Sequence, residues 1–201
     1  GTANIWVLNG YTGTQSWTAL TDISASGNSL TAGQGFLVYV FADNNLDGTD
    51  DLPVTLSITG TENSSSVTLG SIADGKWALV GNPYASTIDW DIVTRTSLAS
   101  TAYVWDDATT AFLDWNGSTG GLTNGLIAPF QSFWVQASGG TGSITIEIAD
   151  KSTSAGTFYR TVNDSVGSAS LTFSSNGYEK TIYFSFNLDG EVTMDLADAY
   201  Q

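Results

Sequence analysis

One stretch of this chain occurs twice, and its surroundings recur with it. Ala32-Gly33-Gln34-Gly35-Phe36-Leu37-Val38-Tyr39-Val40 returns as Pro129-Phe130-Gln131-Ser132-Phe133-Trp134-Val135-Gln136-Ala137. Upstream of each copy lies a tryptophan pair, Trp6 with Trp17 and then Trp105 with Trp115. Downstream of each comes an alternating segment, Val54–Ile58 and then Ser143–Ile148. The offset is 99 at Trp6/Trp105 and 97 at Gln34/Gln131, so the copies hold register apart from small loop changes. Two degenerate copies of one unit are the signature of a scaffold.

The repeated units read as strands. Apolar residues alternate with Thr, Ser, Glu and Asp at Val54/Leu56/Ile58, Val67/Leu69, Ile144/Ile146/Ile148, Leu171/Phe173, Ile182/Phe184/Phe186 and Val192/Met194/Leu196. That period of two puts one face of an antiparallel sheet on a core and the other in water. The unbroken apolar run Phe36–Phe41 predicts a central strand buried on both faces. Asn176-Gly177 between two such segments predicts a two-residue hairpin. The only helical turn expected is at Ser86–Leu98. The fold class is therefore all-β, an antiparallel β-sandwich of immunoglobulin-like or jelly-roll-like form built from two related units. Residues 1–75 would be a first, N-terminally truncated repeat and 76–161 a second. Residues 162–201 would complete the second unit or start a third. Both ends of the chain read as cuts through a longer polypeptide.

Charge and missing residue types exclude several functions. Twenty acidic residues face five basic ones, a net charge of −15. Such a polyanion releases no counterions from nucleic acid and is repelled by anionic lipid. No stretch reaches the length of a membrane span. With no Cys and no His, thiol nucleophiles, histidine triads and most zinc, copper and haem sites are ruled out. The glycines at 117, 120, 121 and 125 lack the following Lys-Ser/Thr of a phosphate loop. Asp106-Asp107 with Asp114, or Asp89 with Asp91, could pass for a glycosidase pair, but closeness in sequence does not set two carboxyls across a cleft. The chain reads as non-catalytic.

Two chemical signals remain. Asp43-Asn44-Asn45-Leu46-Asp47-Gly48-Thr49-Asp50-Asp51 fits the first nine positions of a calcium loop. Asp43, Asn45 and Asp47 would give side-chain oxygens, Thr49 its carbonyl and Asp51 a direct or water-borne contact. The bidentate Glu expected at the twelfth position is Val54, so this is no EF-hand proper. A solvated, Asp/Asn-rich hairpin loop is the other reading of the same residues. The second signal is aromatic. Tyr11, Trp17, Phe112, Asp114, Trp115 and Asn116 put rings beside polar groups in loops, the combination that sugar CH faces and hydroxyls need. Clamping of hairpins into the core is its structural counterpart. An exposed coplanar row of rings would favour sugar, whereas burial of all seven tryptophans would exclude it.

Lys76-Trp77-Ala78-Leu79-Val80-Gly81-Asn82-Pro83-Tyr84-Ala85-Ser86-Thr87-Ile88-Asp89-Trp90 resembles a GW-x-L-x-GNPY-x-S-x-IDW signature. That signature belongs to large secreted proteins of Bacteroidota, many exported by the type IX secretion system. Tyr103-Val104-Trp105-Asp106, Ala128-Pro129-Phe130-Gln131-Ser132-Phe133-Trp134-Val135 and the closing Asp195-Leu196-Ala197-Asp198-Ala199-Tyr200 are similar to the same family, while Lys76 replaces its usual Gly. The resemblance implies an extracellular or cell-surface address and a place near the sorting end of a long polypeptide. It implies no defined activity. An adhesion or spacer segment is the first expectation from sequence, and a carbohydrate-binding module the second. Other domains of the same polypeptide and a surface polysaccharide are the expected partners, and fibre-like self-association through sheet edges stays open.

Overall fold

The structure, a computed structural model, describes residues 4–20, 30–43, 45–50, 61–159, 167–175 and 178–186. It divides into two compact units, Gly1–Thr161 and Val162–Gln201. Every strand pairing in it is antiparallel, and the fold is all-β. The segments 54–58 and 192–196 lie outside the described residues.

In the first unit, β1 (Ile5–Asn9), β2 (Ser16–Leu20) and β3 (Phe36–Val38) form a sheet in the order β2-β1-β3. Then come β4 (Val67–Ile72), β5 (Trp77–Gly81), β6 (Ile88–Asp89), β7 (Thr94–Thr96), β8 (Ala102–Asp106), β9 (Ala111–Trp115), β10 (Leu126–Ile127), β11 (Ser132–Gln136) and β12 (Gly142–Ile146). They give a four-stranded sheet β5-β11-β8-β9, a three-stranded sheet β4-β12-β7 and a short β10-β6 pair. The described residues of the second unit form one hairpin, β13 (Gly167–Ser175) and β14 (Tyr178–Phe186), with Ser175 opposite Tyr178. The Asn176-Gly177 signal thus falls between two paired strands.

The two larger sheets close a sandwich because alternate residues of each are apolar. Ala78 and Val80, Phe133 and Val135, and Ala102 and Val104 point inward from one sheet; Ile72, Ile144 and Ile146 meet them from the other. Trp90 and Tyr84 fill the ends of this core with no exposed surface. A bulge keeps β4 in phase. Ser71 adopts a positive φ of 60° and the register shifts between Gly142 and Ile144, which turns Ile72 inward after Leu69.

Buried polar groups lock the turns. The Asn82 amide donates to the carbonyls of Ser86, Ile127 and Ala128, and its oxygen accepts the Tyr84 N–H. The Tyr84 hydroxyl donates to a backbone carbonyl of β12, at Ile146. Each partner would otherwise be an orphan in the core.

Four expectations are corrected. Ser86–Leu98 is not helical: it holds β6, a turn and β7, with Ile88 and Trp90 buried beneath the Asn82-Pro83-Tyr84 turn. Ile148 leaves the β12 alternation for a 3-10 turn and is exposed. Phe36–Phe41 is not central. β3 is the edge of its sheet, and Phe36, Leu37, Val38, Tyr39 and Phe41 are all exposed. The fourth concerns register. Trp6 pairs with Leu37 as Tyr103 pairs with Trp134, and Leu8 faces Trp17 as Trp105 faces Phe112. The counterpart of Trp6 is therefore Tyr103, at an offset of 97, and the counterpart of Trp17 is Phe112. The matched tryptophan letters stand at different strand positions: Trp105 lies two residues past the counterpart of Trp6 and Trp115 three past that of Trp17, while the β8–β9 loop is two residues shorter than the β1–β2 loop. β4, before position 75, pairs with β12, after it.

Candidate functional site: the outer face of the four-stranded sheet

Alternation that sends Ala102 and Val104 into the core sends Tyr103 and Trp105 out. It does the same for Trp134 on β11 and, across the β8–β9 pairing, for Phe112 and Asp114. The outer face of β5-β11-β8-β9 therefore carries aromatic rings on neighbouring strands. Trp105 and Phe112, directly opposite each other, stack edge to face at 5.1 Å. Trp77 and Tyr103 do so at 5.5 Å. Trp17, reaching over from β2, stands on Trp134 at 5.9 Å.

The N-terminal sheet covers half of this face. Gly35 N–H donates to Leu79 O and Gly81 N–H to Gly33 O, an antiparallel bridge on the free edge of β5. A Cβ on Gly35 would lie 2.6 Å from Leu79 Cγ and 3.0 Å from its backbone, so the approach requires glycine. Gln15 clips the β1–β2 hairpin down: its amide donates to Trp77 O at 2.6 Å and accepts Trp77 N–H at 3.3 Å. Leu79 is buried under this cover. The β8–β9 half stays open, with Trp105 43% and Phe112 52% exposed and Trp17 40% exposed at its border.

The sugar-contact residues expected from sequence divide between roles. Trp17, Phe112 and Asp114 belong to this face. Tyr11 packs against the core, its hydroxyl reaching Leu79 O at 3.5 Å, and burial raises its pKa. Trp115 donates its indole N–H to Asp91 and packs on the core. Asn116 holds its own turn, accepting the N–H groups of Ser118 and Thr119. The face also recruits Trp105, Trp134, Trp77 and Tyr103. For Tyr103 and Trp105 the sequence signal was the small–aromatic alternation Ala102-Tyr103-Val104-Trp105, whose outward side the strand pairing sets. Of the seven tryptophans only Trp90 is wholly buried, so the excluding condition for sugar is not met. The rings form steep pairs, 72° to 82° apart at Trp105/Phe112 and Trp17/Trp134, giving a faceted platform rather than a coplanar row.

The acid pairs act on the backbone. Asp106 accepts the Ala108 N–H and the Thr109 hydroxyl, and Asp89 accepts the Asp91 N–H. Asp150 is buried and accepts the Glu147 N–H at 2.7 Å; burial raises its carboxyl above the usual range.

The Asp43 loop is wound around its own carboxylates. Asp43 accepts the N–H groups of Leu46, Asp47 and Gly48, while Asn45 and Asp47 accept those of Asp47 and Thr49. Leu46 and Gly48 have positive φ, the bend that lets the oxygens converge. The Thr49 N–H lowers the pKa of the exposed Asp47 carboxyl. Asp51 lies outside the described residues, and no group of three or more acidic ligands gathers among the described ones. Donor types and turn suit calcium; the same turns also suit a water-filled loop. Among the described residues no helix is long and apolar enough to cross a membrane.

Comparison with protein-family models, with curated proteins and with solved structures finds no match.

Proposed function

We propose that this chain is a non-catalytic adhesion module of a secreted or cell-surface protein, and that it contacts carbohydrate through the outer face of β8 and β9. One observation carries the reading. Trp105 and Phe112 stand side by side on a sheet face and stay about half exposed, although the hydrophobic effect favours covering them. Exposed aromatic clusters of this kind mark interaction sites, and rings set beside Asp114 offer both the apolar and the polar contacts of a sugar. Buried polar side chains support the non-catalytic part. Asn82, Asp106, Gln131 and Asp150 each hold backbone N–H or C=O groups of turns.

The secreted address rests on the resemblance of Lys76–Trp90 to exported Bacteroidota proteins and on the net charge of −15, which keeps a surface module soluble. Asp43, Asn45, Asp47, Thr49 and Asp51 are proposed to hold a calcium ion that braces the loop after β3.

The test is a glycan array probed with the intact chain and with Trp105→Ala and Phe112→Ala. The expected result is glycan binding that each substitution weakens about tenfold while the thermal midpoint stays within a few degrees. If no glycan binds, the module is a spacer whose aromatic pairs serve packing alone.

A further inference from the structure

We infer that the ligand is an internal segment of a neutral polysaccharide, and that the site has a floor on β8 and β9 and a wall that the N-terminal hairpin supplies. This rests on the carbohydrate reading above and specifies it. The platform is an open sheet face, so a polymer can cross it without an end being recognised. Trp105 and Phe112 make the floor; Trp17, perched on Trp134, borders the floor on the covered side.

Charge decides between polysaccharide classes. β2, β8, β9 and β11 contain no Lys or Arg, and Asp114 stands on the face. Of the five cations in the chain, Arg95 lies over Trp90 and Lys151 is paired with Glu62. An acidic polymer would find a carboxylate and no counter-charge on these strands, inside a molecule of net charge −15. A neutral chain of pyranose rings meets aromatic faces and a hydrogen-bond acceptor.

Gln15 is a positioning residue in this arrangement. Its two hydrogen bonds to the Trp77 backbone fix the hairpin, and the hairpin sets Trp17. Gln15 touches no ligand itself.

Affinity electrophoresis of the intact chain tests this. Native gels would contain hydroxyethylcellulose, xylan or mannan in one set and polygalacturonate or alginate in the other. Retardation by a neutral polymer is expected, weakened about tenfold by Trp105→Ala. Gln15→Ala should weaken it less, and the Gln15→Ala/Trp17→Ala pair should be no worse than Trp17→Ala alone, because Gln15 acts through that ring. Thermal melts establish that each variant is folded. Retardation by the acidic polymers only, with the same Trp105 dependence, overturns the neutral assignment and leaves the carbohydrate reading standing. Additive losses from Gln15→Ala and Trp17→Ala overturn the role of the hairpin as a wall. No retardation by any polymer, or Trp105-dependent self-association in its place, overturns both readings.

Discussion

The strand sets β3-β1-β2 and β11-β8-β9 share order and register, yet they lead different lives. In the second set Ala102, Val104, Phe133 and Val135 share one core with Ile72, Ile144 and Ile146 of the facing sheet, and β5 flanks β11 on its other side. In the first set the counterpart of β11 is an edge strand, and Phe36, Leu37 and Val38 are each more than a third exposed. Pairing is thus a local affair, settled by turns and alternation. Burial is decided by whether a second sheet arrives.

The largest expected effect breaks the covered set. Trp90 is wholly buried, stacks edge to face on Phe133 at 5.8 Å, donates its indole N–H to Ser100 O and lies under the Arg95 guanidinium. Trp90→Ala should cost about 3–5 kcal/mol by leaving a cavity. Phe36→Ala, in the uncovered set, should stay within about 0.5 kcal/mol. Urea midpoints for the two variants measure the contrast, and equal losses would mean that β3 is covered in solution.

Calcium should sharpen the comparison next, since its loop follows the uncovered strand. A folded-state site would add about 2.7 kcal/mol at a hundredfold excess over its Kd. A melt followed by tryptophan fluorescence, with calcium and then chelator, reads that shift, and Asp47→Ala should remove it. An unchanged midpoint would make the Asp43 loop a solvated one.

The joint between the two sets comes third. Gly35→Ala places a methyl against Leu79, side chain and backbone alike, and overpacking of this kind costs about 1–3 kcal/mol. Hydrogen exchange should show the Gly35 and Gly81 amides losing protection while those of β11 keep theirs.

What the sequence revealed follows the same division. Alternation made Val67/Leu69 and Ile144/Ile146 legible as strands, because a period of two directly reports a half-buried pleat. Phe36–Phe41 misled for a physical reason. An apolar run implies burial only when something covers it, and covering depends on residues far away in the chain. Tryptophan spacing misled at Trp6 and Trp105, since an identical letter need not occupy the same strand position: pairing across the sheet sets Trp6 against Tyr103, two residues before Trp105. Trp17, Phe112 and Asp114, singled out as rings beside polar groups, lie on or over the outer face. Trp105 and Trp134 needed the knowledge of which side of β8 and β11 faces out. Tyr11 and Trp115 were ambiguous on composition, and only their bonds to Leu79 O and Asp91 assign them to packing.

The smallest expected effect asks what a covered region does with a charge. Asp150 is buried, and loss of hydration is the main reason its carboxyl titrates above the ordinary aspartate range; the charges of Glu147 and Asp89 push the same way, against the Glu147 N–H bond. The folded protein therefore holds this proton to a higher pH than the unfolded chain does. Between those two pKa values the native state binds more protons, so stability falls as pH rises through that window and levels off above it. Glu62 at the surface should do the reverse. The hydrogen bond from Lys151 lowers its pKa, so its contribution is present above the ordinary glutamate range and fades as pH falls through the lowered value. Urea midpoints at stepped pH separate the two. Asp150→Asn, which keeps an acceptor for the Glu147 N–H, should lose the decline on the alkaline side of the aspartate range. Glu62→Gln should lose the smaller decline on the acid side. If Asp150→Asn leaves the profile unchanged, water reaches that carboxyl, and the covered set is looser at its β12 end than its packing implies.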